Sequence, residues 1–393
     1  MAFRPPPGDD SNPALVEIIA DEIDREGPIT FARFMELATG HPEHGYYTAS
    51  IERVGRSGDF LTAPETHPLF GWLVARQILE FWEVLGSRPE LVVREHGAGR
   101  GTLGQQILDW FGAHPPNDLR RVRYELDDLN PDHPAQLPST VAHEVESLNV
   151  EIVPASGSVI TGVVLANELL DALPFHRLVY SGGEFRELRV GFEQGWFVDE
   201  PSPVSHELRA ELPSGLSLGD GQRVELSPAV SKWIADSAAN LERGFLLLID
   251  YGYERPELYD TARFPSGTLK TYRHHEVSDN PYLHIGRQDI TAHVDFSLAI
   301  DAATSAGLRL EGVTTQAEFV AGLGLDEILM EIQRTATDAN VYQDARTAAM
   351  ELLNPGGLGR FRVAIFSRDV ESSGPVQGLA FRMHGLSGSP PSR

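Results

Sequence analysis

The chain contains no cysteine. That excludes disulfides, thiolate nucleophiles and every zinc site that needs a cysteine ligand. Long apolar runs are also missing. The longest, Phe245 to Ile249, is strand-sized, far short of the ~20 consecutive apolar residues of a membrane span. Positive charge is scarce: 32 lysines and arginines stand against 57 aspartates and glutamates, a formal net charge of −25. Such a surface repels phosphate backbones, so nucleic acid is not expected as a partner and cationic partners are favoured. The richest basic stretch, Leu119 to Arg123, is short. The first residues, Met1 to Asp10, are Pro-rich and acidic, unlike a signal or transit peptide, and imply a cytoplasmic protein.

What is present divides by texture. Residues 1–12 and 369–393 are rich in Pro, Gly and Ser and read as disordered. Residues 13–90 read as a helical region. Asn12 and Pro13 open a first helix carrying Leu15, Ile18, Ile19 and Ile23 on one face. Thr30 opens a second that stops at Gly40, and Leu69 to Leu85 form a third. The stretch from Gly45 to Pro68 lacks periodicity, and loops of that length are commonly functional. From 91 to 368, short apolar strands (Leu91 to Arg94, Val122 to Leu126, Gly162 to Ala166, Phe245 to Ile249, Phe361 to Phe366) alternate with helical patterns. The expected fold is a doubly wound α/β domain with a mostly parallel sheet. A β insertion spans 175–226, with a hairpin at Gly182–Gly183, and a partly helical insertion spans about 255–345.

Three segments carry chemistry. Glu95-His96-Gly97-Ala98-Gly99-Arg100-Gly101-Thr102 follows a strand and opens a helix, the context in which glycines let a ligand lie against backbone and the helix terminus faces it. Counted from Gly97, a dinucleotide fingerprint would place a glycine at 102, where threonine stands. Glycines at 97, 99 and 101 behind Glu95 suit S-adenosylmethionine (SAM) instead. An acid ending the second strand should bind ribose hydroxyls, with Glu125 the first candidate and Asp127 the second. The second segment, Asn167 to Pro174, places Glu168 and Asp171 after a strand, where they could pair with a cationic substrate. The third, Gly55 to Glu65 with Gly58 and Asp59, could form a lid over the cofactor. His41, His44, His274, His275, His293 and Asp295 lack the spacing of a metalloprotease helix, and no metal site is expected.

These strings, together with GPITFARFMELATGHPEHGYY, ANELLDALPFHRLV, VELSP, LLIDYGY, DITAHVDF and GRFRVAIFS, run from about residue 27 to 367. In that order they resemble the MidA family of SAM-dependent methyltransferases, whose mitochondrial member is an arginine methyltransferase acting in assembly of respiratory complex I. The resemblance implies the class I SAM-dependent methyltransferase fold and SAM as cofactor. It further implies an arginine acceptor on a protein partner, with a complex I subunit as one possibility. The family's Glu-x-Gly-Pro-Gly-x-Gly falls on Glu95, Gly97, Gly99 and Gly101, with Ala98 for proline. Its Gly-Asp-Phe loop falls on Gly58, Asp59 and Phe60, and Asn167 adjoins the cofactor. The family's usual Glu-x-Ser-Pro after the second strand is replaced by an acidic segment. By analogy with arginine methyltransferases of other families, Glu168 is the principal acceptor carboxylate, Asp171 supports it and Asp59 could assist. Two rival readings remain: a non-catalytic assembly protein that keeps the fold, and a small-molecule methyltransferase.

Overall fold

The computed structural model describes residues 9–48, 62–130, 148–371 and 374–382. Contacts gather the chain into two units. The sheet unit comprises Thr62–Asn167, Ser237–Tyr251 and Ala303–Arg393; the insert unit comprises Met1–Leu61, Glu168–Asp236 and Gly252–Ala302.

Apolar runs buried on both faces need helices on both sides, which parallel strands with crossover helices supply. In the sheet unit these strands are β1 (Glu90–His96), β2 (Arg121–Asp127), β3 (Asn149–Pro154), β4 (Ile160–Asn167), β5 (Leu241–Asp250), β6 (Arg309–Thr315) and β7 (Arg362–Arg368). They lie in the order β6-β7-β5-β4-β1-β2-β3. β3, β2, β1, β4 and β5 are mutually parallel, and β7 runs antiparallel to both its neighbours. Strand order reverses between β1 and β4, so the carboxyl ends of those strands flank the crevice where doubly wound folds hold ligands. Helix α4 (Leu69–Val84) and helix α5 (Thr102–Ala113) share one core with the sheet. Within it the Phe81 ring stacks on Phe245 at 4.0 Å.

β3 and β6 were not anticipated from sequence. Both are sheet edges, only partly buried, so neither carries a continuous apolar run; β6 also holds a register irregularity between Leu310 and Gly312.

In the insert unit, helices α1 (Pro13–Glu26) and α2 (Phe31–Gly40) begin at the expected caps. The Asn12 side chain accepts from Ala14 N and the Thr30 hydroxyl from Arg33 N. They pack with an antiparallel sheet ordered Trp196–Pro203, Glu184–Glu193, His176–Ser181, Arg223–Leu226, around Leu15, Ile19, Phe31, Phe34, Phe175 and Val190. Gly182 (φ 61) and Gly183 (φ 85) turn the hairpin, as its two-residue loop demands. Smaller sheets formed by Lys270–Arg273, Glu276–Ser278 and Asp289–Thr291, and by Gly252–Tyr253 and Val294–Asp295, complete the unit.

These units cut across the segments expected from sequence. α1 and α2 join the β insertion, with Ile29 and Val190 exchanging backbone hydrogen bonds of 3.1 and 2.8 Å, whereas α4 joins the sheet. Gly252–Ala302 lies in the insert unit, while helices Gln316–Gly322, Leu325–Thr335 and Ala339–Leu353 belong to the sheet unit. The described ends are also better held than composition implied. Asn12 N donates to Ile285 O at 2.9 Å, and Asp10 pairs with Arg273 at 2.5 Å. Gly378 N donates to Gln77 Oε1 at 3.1 Å. No helix among the described residues is long and apolar enough to cross a membrane.

Candidate active site

The loop joining β1 to α5 has left-handed backbone at alternate positions: Gly97 (φ 68), Gly99 (φ 52) and Gly101 (φ 76). Side chains there would meet the steric penalty that glycine avoids. The loop is tied to the end of β2. Gly97 N donates to Asp127 O at 2.8 Å and Gly99 N to Asp128 Oδ2 at 2.8 Å. Ala98 N also donates to Asp127 O at 3.4 Å, a bond that a proline at this position could not make. Gly101 then caps α5, whose first turn directs N–H groups outside the helical ladder.

Gly104 is a glycine for a different reason. A β-carbon there would lie 2.9 Å from the Tyr124 ring and 3.0 Å from Glu95 Oε2, so it lets α5 sit close on β1 and β2. Its position corrects the spacing argument. Counted from Gly99 rather than Gly97, the string Gly99-Arg100-Gly101-Thr102-Leu103-Gly104 does match the G-x-G-x-x-G spacing, third glycine included. Spacing alone therefore does not choose between SAM and a dinucleotide.

Glu95 is 3% exposed and accepts from the Tyr124 hydroxyl at 2.7 Å. Burial pushes its carboxyl up to about 7; the Tyr124 hydrogen bond opposes the rise and the Asp128 charge adds to it. It lies packed beneath the loop. Glu125 does not occupy the strand end expected of a ribose acid. It pairs across β1 with Arg94 at 2.6 Å and with Arg123 at 3.0 Å, on the strand face opposite Tyr124. Asp127 pairs with His96 Nδ1 at 2.6 Å, a hydrogen bond that holds its carboxyl below the usual carboxylate range. The acid past the tip of β2 is Asp128, which holds Gly99 N with one oxygen and Asn130 N (2.9 Å) with the other. Sequence reasoning passed over it. Asp128-Leu129-Asn130-Pro131 keeps the spacing of Glu-x-Ser-Pro with two conservative replacements, and that was the available signal.

Gly58, Asp59 and Phe60 lie outside the described residues. The end of their segment is described: helix α3 (Ala63–Thr66) meets α5, with the Thr102 hydroxyl donating to Glu65 at 2.7 Å and Gln106 Nε2 to Pro64 O at 2.7 Å.

Asn167 ends β4 at the carboxyl edge of the sheet. Glu168, the next residue, has left-handed backbone (φ 53) without being glycine, a conformation that costs about 1–3 kcal/mol. A short turn, Leu170–Ala172, follows. Asp171 is 7% exposed, and its carbonyl accepts from Ala292 N at 3.1 Å. The loop's end is held by Ser227, whose hydroxyl donates to Pro174 O at 2.9 Å.

Among the described residues, the histidines singled out from sequence form no cluster of three metal-ligand side chains. His41 and His44 stack at 5.1 Å, His293 packs between Tyr253 and Phe264, and Asp295 pairs with Arg255 at 3.3 Å. Among the described residues, one cluster has metal-ligand spacing, Asp9, Asp10 and His284. Arg273 and Arg287 already bring positive charge to Asp10.

The family model for S-adenosyl-L-methionine-dependent methyltransferases matches residues 73–314. The chain is 26% identical to the mitochondrial protein arginine methyltransferase NDUFAF7 of Xenopus tropicalis, over 93% of this chain and 89% of that one. It is 29% identical to the Drosophila melanogaster homolog, over 75% and 71%. A crystal structure from Burkholderia thailandensis, bound to S-adenosyl-homocysteine, superposes with a TM-score of 0.84 at 31% identity, over 95% of this chain and 96% of that one. The sheet is thus of the class I methyltransferase type and the cofactor is SAM. The glycine loop and Asp128 fit such a group: left-handed backbone keeps side chains off its path, and an acid stands beside it. The expectation of a cytoplasmic protein is overturned by the curated relatives, which are named as mitochondrial.

Proposed function

We propose that the chain, which belongs to the MidA family of SAM-dependent methyltransferases, transfers a methyl group to an arginine side chain of a protein partner. The partner class suggested by the family resemblance is a subunit of respiratory complex I. Relatives named as protein arginine methyltransferases support the acceptor. The observation that carries the reading is the strained Glu168 backbone directly after β4. A non-glycine residue is held there at energetic cost, and such outliers concentrate at functional positions.

When bound, the cofactor supplies a methyl already activated on a sulfonium, so the chain's own task is alignment. Gly97, Gly99 and Gly101 accommodate the cofactor against backbone, Asp128 takes the ribose hydroxyls in place of Glu125, and Asn167 adjoins it. Glu95 supports the loop from below through Tyr124 and Gly104. A guanidinium is protonated in water, with a pKa above about 12. Glu168 holds its N–H groups and orients one nitrogen for methylation, and Asp171 adds negative charge. An acidic surface also favours a basic protein segment during encounter.

The test is transfer of labelled methyl from SAM into lysate of a strain lacking the protein. Label is expected in the protein fraction, as methylarginine after hydrolysis. Label confined to small molecules would refute a protein acceptor, and label in neither fraction would favour the assembly-protein reading. Glu168→Gln is expected to reduce transfer at least tenfold with S-adenosylhomocysteine affinity within twofold, since loss of a charge-assisted pair costs about 2–5 kcal/mol.

A further inference from the structure

Two of the sequence strings, HPEHGYY and DITAHVDF, have no part in the chemistry above, yet the insert unit joins them. The turn after α2 folds back on the helix end, with Gly45 N donating to His41 O at 2.8 Å and Tyr47 N to Thr39 O at 2.9 Å. Only glycine fits at 45, because a β-carbon would lie 2.5 Å from His41 N and 2.7 Å from Thr39 O. That turn aims the Tyr47 hydroxyl at the carboxylate of Asp289, to which it donates. Asp289 is 1% exposed and opens the strand Asp289–Thr291, which pairs antiparallel with Lys270–Arg273. At the other end of the same strand, Ala292 N donates to the carbonyl of Asp171 at 3.1 Å. The strand is therefore a strut, gripped by Tyr47 at one end and gripping the Glu168–Pro174 loop at the other. Burial, reinforced by the charges of Asp289 and Asp171, holds the Tyr47 phenol well above its usual range, so it remains a donor.

We propose that Tyr47 and Asp289 are positioning residues for the acceptor: through Ala292 they fix the Glu168–Pro174 loop in the conformation that presents its carboxylates to a guanidinium. This rests on the acceptor reading of that loop. Asp289 acts through its acceptor oxygen, not through charge on the substrate. An asparagine in its place, which still accepts from Tyr47, preserves the device.

The experiment uses the full chain, labelled SAM and lysate protein from a strain lacking it. Transfer rates are measured across a lysate dilution series, with S-adenosylhomocysteine affinity by calorimetry. Tyr47→Phe and Asp289→Ala are expected to lower transfer at least fivefold at limiting lysate, mainly by raising the half-saturating amount, with S-adenosylhomocysteine affinity within twofold. Asp289→Asn is expected to stay within twofold of the parent. Hydrogen exchange at residues 168–174 should quicken in Tyr47→Phe. Parent-like transfer by Tyr47→Phe would overturn the proposal, as would an Asp289→Asn loss as deep as that of Asp289→Ala, which would mean the charge itself meets the acceptor. If Asp289→Ala fails to melt cooperatively, Tyr47→Phe, which removes a single oxygen, decides. Glu168→Gln run alongside separates the two readings. If it loses transfer while Tyr47→Phe does not, only the positioning role falls. If Glu168→Gln keeps parent transfer, the carboxylate reading of the loop falls and the positioning role with it.

Discussion

In the sheet unit, the ligand loop is built from three residues without side chains, at 97, 99 and 101, held by backbone donors to Asp127 and Asp128. In the insert unit, the corresponding polar centre is built from side chains: Tyr47, Asp171 and Asp289, drawn from three segments remote in sequence. On the proposed reading, in which the glycine loop takes the cofactor and the insert unit the acceptor, the difference teaches what each unit has to recognise. A cofactor of fixed shape can be read by backbone curvature, which tolerates little change. An acceptor on a partner is read by charge and placement, which can be rebuilt from any segment the fold brings close.

Glu95 is the exception on the sheet side, a buried carboxylate under a backbone-built loop, and it offers the largest expected effect. Its carboxyl is raised to about 7 in the folded protein. The folded state therefore binds more protons than the unfolded chain between about pH 4.5 and 7, and stability falls as pH rises through that window. The cost when ionised is about 3 kcal/mol. Glu95→Gln, which can still accept from Tyr124, should be more stable than the parent at pH 8 by about 2–3 kcal/mol in urea unfolding and nearly equal to it at pH 4. If the variant instead gains nothing at pH 8 and loses S-adenosylhomocysteine affinity, Glu95 belongs to the cofactor's own contacts.

Asp128 sharpens the comparison next. Its side chain both closes the loop, at Gly99 N, and stands just past the tip of β2. Asp128→Ala removes charge-assisted hydrogen bonds worth about 1.5–3 kcal/mol. S-adenosylhomocysteine affinity should drop roughly tenfold to a hundredfold. Glu125→Gln should leave affinity within a few-fold while lowering stability, because Glu125 faces Arg94 and Arg123 inside the sheet. Reversed outcomes would restore Glu125 as the ribose acid.

The same contrast explains what could be read in advance. Rules that act over a few residues were legible: the caps at Asn12 and Thr30, the hairpin at Gly182–Gly183, and the strand-glycine-helix order from Glu90 to Ala113. Edge strands β3 and β6 were not, since half-buried strands carry no continuous apolar run. Glu125 looked like a strand-end acid because strand ends blur by a residue or two in sequence, and here Asp128 lies three positions further on. The meeting of Tyr47 with Asp289 depends on how the turn after α2 and the strand at 289 are brought together, and no local pattern encodes that.

The smallest expected effect tests whether the insert unit's sheet serves the cofactor at all. Gly183 turns the hairpin with φ 85, and a β-carbon there would meet nothing within 4 Å. Gly183→Ala therefore adds backbone strain without a clash, about 1–2 kcal/mol for an L-residue in left-handed conformation. For a protein of this size that lowers the melting temperature by a few degrees at most. S-adenosylhomocysteine affinity should not change, because the ligand loop is held by β1, β2 and α5 within the sheet unit. Calorimetric titration and thermal melting of the same preparation check both halves. A loss of affinity beyond twofold would show that strain in the hairpin reaches the glycine loop, and the division between a backbone-built cofactor side and a side-chain-built acceptor side would then be too sharp.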